Sequence, residues 1–126
     1  MAEVIRFFSR QAVVSNSGVG ANAAAIYSEI FDLSQYSKLE VELLMFSNND
    51  VASSNQVSVQ IEETSDPAFS PDTWTAKGNA MSTSGAPPKR GFQNLSAFQR
   101  FVRAKMTIAS GMNAIVSVEG VAREQV

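Results

Sequence analysis

The sequence predicts an all-β protein, a single antiparallel β-sandwich of jelly-roll type. Three observations lead there. Two long C-terminal segments, Arg100–Ala109 and Ala114–Arg123, alternate apolar and polar residues with period two, which means one buried and one wet face each. Short alternating segments recur along the rest of the chain, separated by turn formers and without a long helix. The long connections at Ser65–Asp72 and Gly78–Gly91 suit a jelly roll or Greek key better than a simple meander.

Taken in order, Glu3–Phe8 and Gln11–Ser15 read as one strand, or two short ones, broken near Ser9-Arg10. Asn16–Asn22 is a loop of Gly, Ser and Asn. Ala23–Leu33 fits a helical stripe through Ala23, Ile26, Tyr27, Ile30 and Phe31, but those residues after Ala23 are β-formers and lead into a turn, so it reads as strand. Lys38–Phe46 is a strand in which Leu39, Val41, Leu43 and Met45 alternate with charges. Leu44 and Phe46 break the polar parity, so its end is expected to be covered on both faces. Ser47–Asn55 is a polar loop. Val57, Val59 and Ile61 then mark the next strand. Pro67 and Pro71 make Ser65–Asp72 a loop. Thr73–Ala76 is a short returning strand. Gly78–Gly91 reads as a long excursion with at most a short strand near Met81, and Gln93–Phe98 as one helical turn with capping-box spacing at Ser96 and Gln99.

The two C-terminal segments are joined by Ser110-Gly111-Met112-Asn113, which predicts a hairpin of neighbouring strands. Val102, Ala104, Met106 and Ile108 share the core parity of the first. Ala114, Val116, Val118 and Gly120 share that of the second.

A chain of 126 residues is expected to form one domain, 1–126, burying roughly two-thirds of its unfolded surface. No apolar run is long enough for a helical membrane span, and the acid at Glu3 argues against a signal peptide. There is no Cys and no His, which removes disulfides, Cys/His zinc sites and Ser-His-Asp or Cys-His catalysis together. No cofactor and no enzymatic activity are expected. Glu62, Glu63, Asp66 and Asp72 form an acidic strand end that reads as solvated rim, with a calcium site as the sharper alternative. Trp74 is the single Trp. It reads as a core or rim plug, or else as a platform for a sugar ring. Arg100–Lys105 interleaves bases with Phe101, but a net charge of −2 disfavours nucleic acid. Gly18-Val19-Gly20 lacks the Lys-Ser/Thr of a phosphate loop.

Charge is divided along the chain. From Glu29 to Asp72 there are nine acids and one base, Lys38. From Thr73 to Val118 there are six bases and no acid. This predicts either cross-strand acid–base pairs or two complementary surface patches.

The run Val57–Asp66, then Thr73-Trp74-Thr75, then Arg100–Lys105 before a closing strand resembles small β-sandwich proteins of tailed-bacteriophage virions. Asp32–Glu42 fits the same picture. In size the chain is most similar to capsid decoration, or cement, proteins with jelly-roll folds. The resemblance implies a structural protein of the virion, made in the host cytoplasm, that binds the major capsid protein lattice and often forms trimers. The rival readings are a carbohydrate-binding module and another virion part, such as a tail or fibre adaptor. For a trimer contact the candidates are Phe7, Phe8, Phe92 and Phe101 as apolar centre, with Arg103 and Lys105 at its rim.

Overall fold

The computed structural model of the chain describes residues 2–14, 24–48, 57–66, 74–83, 89–108 and 113–124. These form the strands β1 (Ala2–Val14), β2 (Ala24–Tyr27), β3 (Phe31–Asp32), β4 (Lys38–Asn48), β5 (Val57–Thr64), β6 (Thr75–Thr83), β7 (Lys89–Ser96), β8 (Phe101–Ile108) and β9 (Asn113–Arg123). The described residues contain no helix.

All pairings are antiparallel. One sheet has the order β1-β9-β4-β7. The other has the order β2-β8-β5-β6, with β3 also on β8. With β2 and β3 taken as one interrupted strand, each sheet has four positions. The chain then changes sheet at every connection except β5 to β6. This is the eight-position jelly roll, two Greek keys wrapped into a sandwich. Its core is the inward parity of both sheets, and Leu39, Val41, Leu43, Met45, Val57, Val59 and Ile61 are fully buried there.

The expected hairpin does not form. β8 hydrogen-bonds β2, β3 and β5, whereas β9 lies between β1 and β4 in the opposite sheet. The reason is geometric: alternation shows that each strand has one buried face. Two such strands satisfy it equally side by side or facing each other across a core. The parity itself is as expected. Val102, Ala104, Met106 and Ile108 are buried on one side, and Ala114, Val116 and Val118 on the other.

Of the two readings of the N-terminal segment, one continuous strand forms, with two irregularities, the second at Ser9-Arg10 where a break was expected. Arg6 pairs Glu119 and Phe8 pairs Val118, so Phe7 is an extra residue; a second shift follows between Phe8 and Gln11. Each insertion reverses the alternation. Ile5, Phe7, Phe8 and Val13 therefore all face inward despite their mixed parity. Phe7 and Phe8 are 5% and 6% exposed, and Phe7 meets Phe31 edge-on at 5.3 Å. They are core residues, which corrects their assignment to an interface.

The predicted strand Ala23–Leu33 is two pieces. At Ser28 the backbone N–H donates to Ala104 O (2.9 Å), and the Ser28 hydroxyl accepts from Ala104 N (2.8 Å). A side chain here takes the place of a ladder partner, and the strand turns out of line. Strand β4 runs on to Asn48, past the predicted loop start at Ser47. Residues 16–22, 49–55 and 67–72, read as loops, lie outside the described residues.

The predicted excursion Gly78–Gly91 is largely strand. β6 runs from Thr75 to Thr83, and β7 begins at Lys89. A bulge hides β6 from pattern reading. Val59 pairs Met81 and Ile61 pairs Lys77, so Gly78, Asn79 and Ala80 lie opposite Gln60 alone. Gly78 has φ +72°, a left-handed backbone that glycine adopts without strain. The Gln60 amide donates to Ile61 O, Lys77 O and Gly78 O at 3.0–3.2 Å and holds the bulge. The expected helical turn Gln93–Phe98 is also corrected. Gln93–Ser96 complete β7, and the chain leaves it through Ala97 at φ +56°. The Gln99 N–H then donates to Glu63 Oε2 (2.7 Å) rather than to a cap.

Candidate interaction surfaces

The outer face of the β2-β8-β5-β6 sheet carries a stacked cluster. Arg103 on β8 lies opposite Glu62 on β5, and its Nε donates to Glu62 Oε1 at 2.8 Å. The guanidinium lies 4.3 Å from the ring centroid of Tyr27 and 4.3 Å from that of Trp74. The Arg103 and Glu62 side chains are only 17% and 15% exposed. Flat rings thus shield a charge-assisted bond from water, where such a bond is strongest. The cluster ties β2 to β8 and β5, and to the residue before β6. Replacing Arg103 with Ala is expected to cost about 2–3 kcal/mol, through a lost charged hydrogen bond and two cation–π contacts. Arg103→Lys should recover only part, because an ammonium does not stack as a planar guanidinium does. Urea unfolding of both variants checks this.

Arg100 makes a second pair at the end of the same sheet. It grips both Asp32 oxygens, with contacts of 2.9–3.2 Å, and lies 4.9 Å over the Phe101 ring. Ser34 N–H adds a bond to Asp32 Oδ1 at 3.0 Å. The Arg100 bonds first, then that of Ser34, lower the Asp32 pKa from 3.8 to about 2. A lowered carboxyl pKa contributes stability above its unfolded value and loses it as pH falls through the folded one. The Asp32 contribution should therefore be complete above about pH 4 and vanish toward pH 2. Asp32→Asn should flatten this part of the acid limb in a melting-temperature profile from pH 5 to 2.

The outer face of the β1-β9-β4-β7 sheet differs. One row across it reads Arg6, Glu119, Glu42, Phe92, and the next reads Val4, Val121, Glu40, Asn94. Glu119 and Glu42 oppose each other directly, an unfavourable placement for like charges. Each carboxylate has its own arginine: Arg6–Glu119 at 3.6 Å, Arg123–Glu40 at 3.6 Å, and Arg90–Glu42. Between the rows lies an open hollow of about 260 Å³ walled by Val4, Val121 and Phe92. Val4 and Phe92 are 60% and 53% exposed, high for large apolar side chains.

The acidic and basic blocks of the sequence meet across strands in three ion pairs. Asp32, Glu42 and Glu62 from the first pair with Arg100, Arg90 and Arg103 from the second. Strands from the two halves alternate within each sheet, and these three pairs are of the cross-strand kind.

The six residues proposed for one contact are not brought together. Phe7 and Phe8 are in the core, and Phe92 is exposed on β7. Phe101, Arg103 and Lys105 alternate on the outer face of the other sheet, with Lys105 opposite Gln60 and Tyr27. Val4, Val121 and Tyr27 are further apolar residues on the outer faces, and Val4 and Val121 each stand beside a core residue in an apolar pair. Of the calcium candidates, Glu63 is bound by the Gln99 backbone and Asp72 lies outside the described residues.

No family model matches the chain, and no curated protein does. Solved structures do match. The SPBc2 prophage-derived protein YomS is 13% identical, with a TM-score of 0.55, over 97% of this chain and 92% of its own. The PBSX exported protein XepA is 12% identical, with a TM-score of 0.64, over all of this chain and 38% of its own. The VP2 subviral particle protein of infectious bursal disease virus is 8% identical, with a TM-score of 0.60, over 98% of this chain and 32% of its own. The chain is thus similar in fold to nearly the whole of one phage-derived protein and to about a third of the other two.

Proposed function

We propose that this chain is a non-enzymatic structural protein of a bacteriophage virion, a decoration protein that binds and stabilises the capsid shell. The observation that carries this reading is the jelly roll itself, which runs the length of the chain and has its end-to-end counterpart in a prophage-derived protein. The similarity to VP2 from a viral particle supports the same class. Its partner on this reading is the major capsid protein lattice. Three of the charge pairs between the blocks form within the chain, so three-fold self-association, on this reading, would rest on other contacts.

The test is quantitative mass spectrometry of purified virions, with co-sedimentation of the purified chain on empty shells. A copy number that is a lattice multiple, with saturable shell binding, is the expected result. A copy number of a few per virion without shell binding would assign the chain to a tail or fibre adaptor. Absence from virions would remove the virion reading.

A further inference from the structure

The four sheet edges are not alike. An open edge is a row of free backbone donors and acceptors that pairs with other chains unless interrupted. β1 is interrupted by two register shifts. The β2–β3 edge is broken at Ser28–Ile30. β6 carries the Gly78 bulge. Among the described residues β7 alone is regular: all eight of its residues pair with β4 without a shift, and β4 is the only strand there that hydrogen-bonds it. At the middle of that edge, on the outer face, stands the exposed Phe92.

We propose that β7 is a self-association edge, where a second copy of this chain adds its own β7 antiparallel to make one continuous eight-stranded sheet. The occupant follows from parity. A two-fold axis perpendicular to a continuous sheet keeps both outer faces on the same side, so opposed residues must share parity. Pairing centred on Phe92 meets this condition and covers Lys89 to Leu95. It sets Phe92 against its own copy, an aromatic cross-strand pair that buries both rings. It sets Arg90 against the copy's Asn94 and Lys89 against the copy's Leu95, so no like charges oppose. Arg90 is paired with Glu42 of its own sheet and lies 5.7 Å from the centroid of its own Phe92 ring, so its charge is balanced beside the axis. The edge is thus compatible with its own copy in parity, and no like charges stand directly opposed. The inference concerns the chain by itself and stands or falls independently of any shell.

Sedimentation of the purified chain over a concentration series tests it, with dimer as the expected species. Phe92→Lys places two ammonium groups on the axis and should weaken association about tenfold or more. Far-UV circular dichroism confirms that its strands persist. The natural chain has no cysteine, so single-cysteine variants report juxtaposition without background. Phe92→Cys should form a covalent dimer on mild oxidation, because directly opposed strand residues lie within disulfide reach. Val4→Cys sits on β1 at the far side of the same face, about 34 Å from its copy across seven strand spacings, and should not. A monomer at high concentration, an assembly indifferent to Phe92→Lys, or equal cross-linking of the two cysteine variants would overturn the proposal.

Discussion

Val118→Asp is expected to destabilise the protein by about 3–5 kcal/mol, a large part of the roughly 5–15 kcal/mol that holds a typical domain together. Val118 is fully buried. It sits at the centre of its sheet, between Phe8 on β1 and Leu43 on β4, both buried. An aspartate there finds no cation and no donor, so it stays charged at high cost or takes up a proton and remains an unsatisfied acid. Urea unfolding should show a much lower midpoint. Val4→Asp, on the exposed outer face, should stay within about 0.5 kcal/mol of the parent. Equal effects of the two substitutions would mean that the inward parity of β9 is wrong.

Gly120→Val is expected to cost about 2–4 kcal/mol, by crowding rather than by charge. A Cβ on Gly120 would lie 2.9 Å from the backbone oxygen of Glu40, 3.1 Å from Leu39 Cδ1 and 3.5 Å from Phe7 Cε2. Side chains can give by a few tenths of an ångström. The Glu40 carbonyl belongs to β4, paired on both sides, and cannot move without breaking its ladder. Gly120→Ala should already lower the melting temperature, and the valine variant should lower it further. An alanine variant as stable as the parent would show that β4 and β9 do not approach as closely as described.

These two sites also show what was legible in the sequence. The inward parity of Val118 follows from alternation, because the pleat enforces a period of two wherever one face is buried. So do Val102, Met106 and Val116, and with them the all-β class and the jelly-roll type. Sheet membership was not legible. Parity says which face of a strand is dry and is silent on whether its dry face looks along or across the core, so β8 and β9 were read as neighbours. Bulges hid more. At Phe7 and at Gly78 a single backbone irregularity inverts the pattern, so two core phenylalanines read as an interface and most of a nine-residue strand read as an excursion. At the surface, Phe101 was recognised as unusual for a polar face, and Arg103 as a base on that face. The partners of Arg103, namely Tyr27, Trp74 and Glu62, come from distant parts of the chain, and only the fold brings them together. Phe92 was singled out by its aromatic character alone. Its place on the one regular edge depends on strand order, which no local pattern contains.

The central position of β9 has a consequence for synthesis. β9 is the last strand to leave the ribosome, yet it is the inner strand against which the first one pairs. β5, β6, β8 and the β2–β3 edge can close their sheet once Ile108 has emerged, but β1 then still has no backbone partner. At about 5–20 residues per second, β1 and its core phenylalanines wait on the order of ten seconds between their own appearance and that of β9. For most of that time neither sheet is complete, and the apolar faces of the strands already made stay open. A ribosome stalled before β9 would hold the protein as a sticky, half-covered intermediate, and a chaperone at the exit tunnel would find its binding site there rather than in any exposed patch of the finished fold.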